Sequence, residues 1–102
     1  MINVIVTYQI KREFLNENKL NIKKFLKDFE TLDTSKFNYI VYYNEDEITF
    51  THISNYVDEK IQNEVLNVPS FLEFQKKRDE SGLNNSHKVQ IMECIGSTNK
   101  IL

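Results

Sequence analysis

Alternating apolar and polar residues predict four β-strands in this chain. The first strand is rich in β-branched residues, and its apolar side chains recur at every second position. The polar tripeptide Asn44–Asp46 separates the second and third strands, which predicts a hairpin. The predicted strands are Ile2–Lys11, Phe37–Tyr43, Glu47–Ile53 and Lys88–Ile95.

Two helical regions lie between these strands. The first covers Glu13–Leu32 and has one apolar stripe at helical spacing, formed by Leu15, Ile22, Phe25, Leu26, Phe29 and Leu32. The second covers Asp58–Asp79 and is interrupted by Pro69. Because proline is tolerated in the first turn of a helix but not in its interior, we expect a break near Val68.

The resulting order, β-α-β-β-α-β, is typical of an α+β, ferredoxin-like domain with a four-stranded antiparallel sheet and both helices on one face. A face of the sheet that meets water should be polar at alternate positions. Both faces are instead apolar, since the second set of positions contains Ile5, Ile40, Tyr42, Ile53, Met92 and Cys94. We therefore expect a homodimer in which two copies pack through their sheet faces.

Length and charge exclude several classes of protein. The 102 residues form one domain, residues 1–102. A net charge of −2, without a basic stripe, argues against binding to nucleic acid. No apolar run is long enough to span a membrane. A single cysteine, Cys94, and the lack of signal-peptide features favour the cytoplasm, and the abundance of Asn, Ile and Lys favours a bacterial origin.

Two polar residues occupy positions that the pattern predicts to be partly or fully buried. His52 lies in phase with Phe50 in the third strand, and a neutral-pH imidazole there would serve as a base towards a phenolic or enolic substrate. Asn18 lies on the apolar stripe of the first helix, where it would bind a ligand carbonyl or stabilise an oxyanion. The structural alternatives are a histidine bonded to its neighbours and an amide bonded to the backbone of the preceding strand. Two histidines and one cysteine, far apart in sequence, match no metal-ligand spacing.

Four segments together resemble the small antibiotic-biosynthesis-monooxygenase-like proteins of the dimeric α/β-barrel superfamily. They are V-T-Y-Q-I-K-R-E-F-L-N-E-N from Val6, I-T-F-T-H-I-S-N-Y-V-D-E from Ile48, V-P-S-F-L-E-F-Q from Val68 and E-C-I-G-S from Glu93. The resemblance implies that two sheets close into a barrel and that each subunit has a small-ligand pocket between helices and sheet. We expect that pocket to be lined by Tyr8, Phe50, Val65 and Phe71.

The resemblance implies oxygenation of an electron-rich aromatic compound without metal or flavin, so we expect no cofactor. Heme-degrading relatives use Asn, Trp and His at positions that fall here on Thr7, Val65 and Gln75, and none of these three is retained. We therefore consider two functions. One is a cofactor-independent monooxygenase of a small aromatic or quinol-like substrate, with His52 and Asn18 as catalytic residues. The other is a non-catalytic homodimer that binds a small ligand or is purely structural.

Overall fold

The computed structural model describes all residues, Met1–Leu102, and contains the predicted elements in the predicted order. The strands are β1 (Ile2–Gln9), β2 (Phe37–Tyr43), β3 (Thr49–Tyr56) and β4 (Lys88–Met92). The helices are α1 (Leu15–Phe29), α2 (Glu59–Leu66) and α3 (Pro69–Ser81), and a single 3₁₀ turn, Arg12–Phe14, precedes α1. This arrangement confirms the α+β, ferredoxin-like fold with a four-stranded antiparallel sheet.

The break in the second helical region is confirmed, and its cause is local. Asp58 caps α2, because its carboxylate accepts a hydrogen bond from the Ile61 backbone N–H at 2.9 Å. Val68 then adopts an extended conformation, with ψ of 127°, and Pro69 takes the first position of α3. Two short helices, α2 and α3, therefore replace one continuous helix.

The predicted start of β3 at Glu47 is wrong by two residues, because Asp46 holds a turn. Its carboxylate accepts hydrogen bonds from the backbone N–H groups of Ile48 and Thr49, both at 2.9 Å. Glu47 accordingly has a positive φ of 63°. The strand instead continues to Tyr56, where it pairs with both Ile2 and Phe37.

Three other predicted ends were too long. β1 ends at Gln9 rather than at Lys11, and the 3₁₀ turn follows from Arg12. α1 ends at Phe29 rather than at Leu32. β4 ends at Met92, which pairs with Asn3. Beyond that pair β1 has only one more residue, Ile2, so Cys94 and Ile95 of the predicted β4 have no partner in that strand.

The sheet has the order β2-β3-β1-β4, and the helices pack on one of its faces. The core between these layers is strongly aromatic, and Phe25 contacts four other aromatic side chains, those of Phe29, Tyr39, Phe71 and Phe74. The helices do not cover β4. Ile91 is 79% exposed, whereas its partner on β1, Val4, is buried.

The opposite face of the sheet, which we call the outer face, is only partly covered. Ile40 and Tyr42 on β2 are 43% and 57% exposed. The C-terminal residues reach this face, since the Asn38 side-chain amide donates a hydrogen bond of 2.8 Å to the Ile101 carbonyl. Ile101 also borders a shallow cleft of about 170 Å³ that includes Ile5 and Ile53.

Candidate functional site

A chain of hydrogen-bonded side chains crosses the aromatic core between helices and sheet. The Tyr8 hydroxyl lies 2.8 Å from Nε2 of His52, and the Tyr39 hydroxyl lies 2.8 Å from Nδ1 of the same ring. The Asn18 side-chain amide donates to the Tyr8 hydroxyl at 3.2 Å. We call these four residues, Asn18, Tyr8, His52 and Tyr39, the polar chain. A polar group that is buried without a hydrogen bond destabilises the fold. Each of these four side chains has at least one hydrogen-bond partner within the set, so they form a connected buried network.

The strand register places the three ring-bearing members side by side. His52 lies directly opposite Val6 on one side and Val41 on the other. Tyr8 and Tyr39 are each two residues away from those positions, so both are diagonal neighbours of His52 on the helix-facing side. Asn18 reaches Tyr8 from the buried stripe of α1, one turn before the buried Ile22.

The donors and acceptors define a direction along the polar chain. With the Asn18 amide donating to the Tyr8 oxygen, Nε2 of His52 is the acceptor left for the Tyr8 proton, and we assign the proton to that bond. A neutral imidazole carries one N–H, which is then on Nδ1 and donates to the Tyr39 oxygen. In this assignment the Tyr39 hydroxyl has no acceptor for its own proton within the protein.

Burial keeps the polar chain uncharged. It is the main reason that the pKa of His52 falls to about 3, and the nearby charges of Arg78 and His87 act in the same direction. Burial likewise raises the pKa of Tyr8, against the opposing effects of the Asn18 hydrogen bond and the Arg78 charge. It also raises the pKa of Tyr39 well above that of an ordinary phenol. At neutral pH all three rings are therefore neutral.

A buried cation borders the polar chain. The guanidinium carbon of Arg78 lies 5.2 Å from the centre of the Tyr8 ring and 5.4 Å from that of Phe74, a cation–π geometry. Its Nε donates to the Asp79 carboxylate at 3.0 Å, and the residue is only 6% exposed. Arg78 was not predicted from the sequence. The signal was its spacing, since Phe71, Phe74 and Arg78 fall on one face of α3.

An apolar groove runs along the surface where α1 meets the edge strand β2, and it consists of two adjoining clefts. The first, about 350 Å³, is lined by Lys19, Ile22, Lys23, Leu26, Val41, Tyr43 and Phe50. The second, about 270 Å³, is lined by Leu26, Phe29, Glu30, Thr34, Phe37, Asn38 and Tyr39. Leu26 is common to both, and Tyr39 belongs both to this α1–β2 groove and to the polar chain.

The structure brings together three of the residues selected from the sequence: His52, Asn18 and Tyr8. His52 is 2% exposed, so the expectation of a partly buried ring with a pKa near neutrality is corrected by the depth of the core. His52 lines none of the five main surface clefts. Asn18 bonds the Tyr8 hydroxyl rather than the backbone of the preceding strand, because the backbone groups of β1 are used in the sheet.

The expected ligand-lining residues are divided by the structure. Phe50 forms part of the α1–β2 groove and stacks on Tyr8, with ring centres 5.7 Å apart. Val65 on α2 and Phe71 on α3 are buried in the core. Neither lines any of the five main clefts.

Three buried polar atoms have no hydrogen-bond partner: Oδ1 of Asn18, Nδ2 of Asn21 and Oγ of Ser70. All three lie on α1 or α3, the two helices that pack against each other. An unpaired amide oxygen on Asn18, next to the Tyr8 hydroxyl, is destabilising by about 1–3 kcal/mol. Buried polar atoms without a partner are found at functional positions.

Comparison with known proteins supports the fold assignment. No protein-family model and no curated protein matches the sequence. Solved structures do match. A structure described as an antibiotic biosynthesis monooxygenase has a TM-score of 0.79 at 13% identity, over 94% of this chain and 100% of the other. Rv0793 from Mycobacterium tuberculosis has a TM-score of 0.78 at 13% identity, over 96% and 98% of the two chains.

A conserved protein from Methanosarcina mazei is similar as well, with a TM-score of 0.75 at 20% identity over 89% of each chain. The TM-scores establish a shared fold. At the level of the fold they confirm the resemblance to antibiotic-biosynthesis-monooxygenase-like proteins. No helix of the structure is both long and apolar enough to cross a membrane. No three His, Cys, Asp or Glu side chains converge in a way that would hold a metal ion.

Proposed function

We propose that this protein is a cofactor-independent monooxygenase that acts on a small, aromatic, quinol-like substrate bound in the α1–β2 groove. The observation that carries the proposal is the position of Tyr39, which ends the polar chain and borders the groove. The shared fold with a protein described as an antibiotic biosynthesis monooxygenase supports the same reaction class.

In this proposal the polar chain stabilises the substrate anion. The Tyr39 hydroxyl donates its free proton to the phenolic or enolic oxygen of the substrate, where negative charge develops. His52 supports Tyr39 by donating from Nδ1, and Tyr8 and Asn18 fix that tautomer of the imidazole. Since the pKa of His52 is about 3, we assign it a positioning role, with the proton held on Nδ1 rather than taken from the substrate.

The acidic proton of the substrate is released to solvent, the resulting anion supplies the electrons that reduce O₂, and a proton is taken back when water forms. One oxygen atom forms a new carbon–oxygen bond, and the other leaves as water with two hydrogens from the substrate. Anthrone gives a balanced example, since anthrone and O₂ yield anthraquinone and water. The apolar walls of the groove, including Leu26 and Phe50, favour the flat ring system.

The proposal includes a homodimer joined through the outer faces of the two sheets. Exposed Ile40 and Tyr42 form the apolar surface that a partner would cover. Ile101, which lies at the edge of this face, would then contact the interface. The exposed free thiol of Cys94 is compatible with a reducing cytoplasm, where we expect the dimer to act.

One observation favours the alternative of a non-catalytic binding protein. The His52 ring is packed among Phe25 and Phe74, with ring centres at 6.2 and 5.5 Å, and both its nitrogens are bonded to tyrosines. A polar chain of this kind would also serve to specify the packing of the core.

Oxygen consumption with anthrone separates the two functions. A monooxygenase gives an initial rate that exceeds spontaneous oxidation and is proportional to protein concentration, with one anthraquinone formed per O₂ consumed. A binding protein gives no increase in rate, while anthrone raises the thermal midpoint of the protein in proportion to its occupancy. A background rate at every protein concentration would refute the enzymatic proposal.

A further inference from the structure

We infer that the α1–β2 groove selects an aromatic ligand that carries an acidic group, which binds between Lys19 and Lys23. This inference uses the proposed substrate site but adds a charge requirement that the oxygenation itself does not need. The two ends of the groove carry opposite charges, and neither lysine has an acidic partner.

The floor of the first cleft is apolar. Ile22 and Leu26 come from α1, and Val41 and Phe50 come from the sheet. A cleft of about 350 Å³ with these walls fits a ring system of two or three fused or linked rings. The floor itself offers no charged partner, so the rim determines which polar substituent is accepted.

Two lysines form that rim. Lys19 and Lys23 are four residues apart on α1, so they lie on the same side of the helix and repel each other. Neither is within ion-pair distance of any acidic side chain, including those of the nearby β2–β3 turn. An anion between them would relieve this repulsion.

Tyr43 holds one of the two cations in place. The Lys19 ammonium donates a hydrogen bond of 3.2 Å to the Tyr43 hydroxyl and lies 4.4 Å from the centre of that ring. This contact directs the ammonium along the rim of the cleft and limits its freedom, so less conformational entropy is lost when a ligand binds.

The opposite end of the groove has the other charge. Glu30 lines the second cleft, beside Tyr39. At 1.5 Å per residue, Lys19 and Glu30 are separated by about 16 Å along α1. A ligand with one acidic end is therefore oriented with that end towards Lys19 and Lys23, and its remaining rings extend towards Tyr39.

Two fluorescent probes of nearly equal shape test the inference. The anionic probe is 8-anilinonaphthalene-1-sulfonate, and the neutral probe is N-phenyl-1-naphthylamine, which lacks the sulfonate. We expect the anionic probe to bind the folded protein more tightly than the neutral one. Its affinity should fall about three- to tenfold in Lys23→Gln, and further in Lys19→Gln/Lys23→Gln. Added salt should weaken the anionic probe alone.

Lys24→Gln is the matched control, because Lys24 is exposed on the same helix but does not line the groove. Its affinity for the anionic probe should stay within about twofold of the wild type. Equal losses in Lys23→Gln and Lys24→Gln, equal affinity for both probes, or no binding of the sulfonate would overturn the inference.

The result is independent of turnover. If the protein prefers the sulfonate in a lysine-dependent way but does not accelerate anthrone oxidation, the anion site is supported and the oxygenase activity is refuted. If it accelerates the oxidation of neutral anthrone without that preference, the oxygenase activity is supported and the anion site is refuted.

Discussion

The Tyr39 hydroxyl lies 2.8 Å from Nδ1 of His52, and this is the one hydrogen bond by which the polar chain reaches a residue of the α1–β2 groove. With the Asn18 amide donating to Tyr8, the Nδ1–H tautomer of His52 satisfies both ring nitrogens, and the Tyr39 proton then has no acceptor in the protein. A change at Tyr8 or Asn18 would therefore be transmitted through His52 to a residue at the groove.

The stability of the protein should fall between pH 7 and pH 5 because His52 is buried in its neutral form. An unfolded histidine titrates near 6.5, whereas the folded pKa is about 3. The unfolded state therefore binds more protons in this interval, and the free energy of unfolding decreases as the pH falls. The expected loss from His52 is about 2 kcal/mol, measured by urea unfolding.

The His87→Gln variant is the control for this measurement, because the pKa of His87 is also lowered, mainly by burial. The loss should persist in that variant. NMR provides a second readout that needs no substitution, since the His52 ring signals should not titrate between pH 8 and about pH 4. A His52 titration near pH 6.5 would show that the ring is not held as described.

Replacing Arg78 by methionine should raise the pKa of His52. The Arg78 charge disfavours an imidazolium, so its removal favours protonation. Burial remains the larger effect, and the new pKa should still lie below 6.5. Methionine retains much of the apolar contact with Tyr8 and Phe74. An unchanged or lower pKa in the NMR titration would show that the cation does not act on His52.

Asn18→Leu should separate a functional amide from a structural one. The change removes an amide whose Oδ1 is buried without a partner, and it leaves the Tyr8 hydroxyl bonded to His52. We expect the free energy of unfolding to stay within about 1 kcal/mol of the wild type, while oxygenase activity falls. Asn18→Ala should be less stable, because it also leaves a cavity. A loss above about 3 kcal/mol in Asn18→Leu would assign the amide to the fold.

The outer face should form the dimer interface. Light scattering should give a mass of twice 12.2 kDa for the wild type. Tyr42→Glu places a charge on the exposed apolar surface, so it should shift the protein to the monomer without unfolding it. Leu20→Glu is a suitable control, because Leu20 is also exposed but lies on α1. A wild-type monomer at micromolar concentration would refute this interface.

The fold was predictable because the spacing of apolar residues determines the order of strands and helices. The predicted ends of elements that were wrong depend on single contacts. The Asp46 turn, which delays β3, uses a side chain that is also typical of an ordinary polar hairpin tip. His52 and Asn18 stood out because each is a polar residue in phase with an apolar pattern. Arg78 did not, because a charged residue on a helix is usually exposed and its neighbours in sequence are also charged.

The α1–β2 groove could not be predicted from the sequence. Its volume depends on how closely α1 packs against β2, which is set by several large side chains that meet in three dimensions. The role of Tyr39 was hidden for a related reason. Alternation shows that it shares a face with His52, but only the register makes the two residues diagonal neighbours.

The most direct test of the account is the rate of anthrone oxidation by Tyr39→Phe compared with Tyr42→Phe. Both variants remove one hydroxyl from β2, but only Tyr39 is bonded to His52 and borders the groove. We predict that kcat falls about 10²- to 10³-fold in Tyr39→Phe, the loss typical of a hydrogen bond to a developing anion, and is unchanged in Tyr42→Phe. Equal rates in the two variants and the wild type would contradict the central claim that the polar chain acts on the substrate through Tyr39.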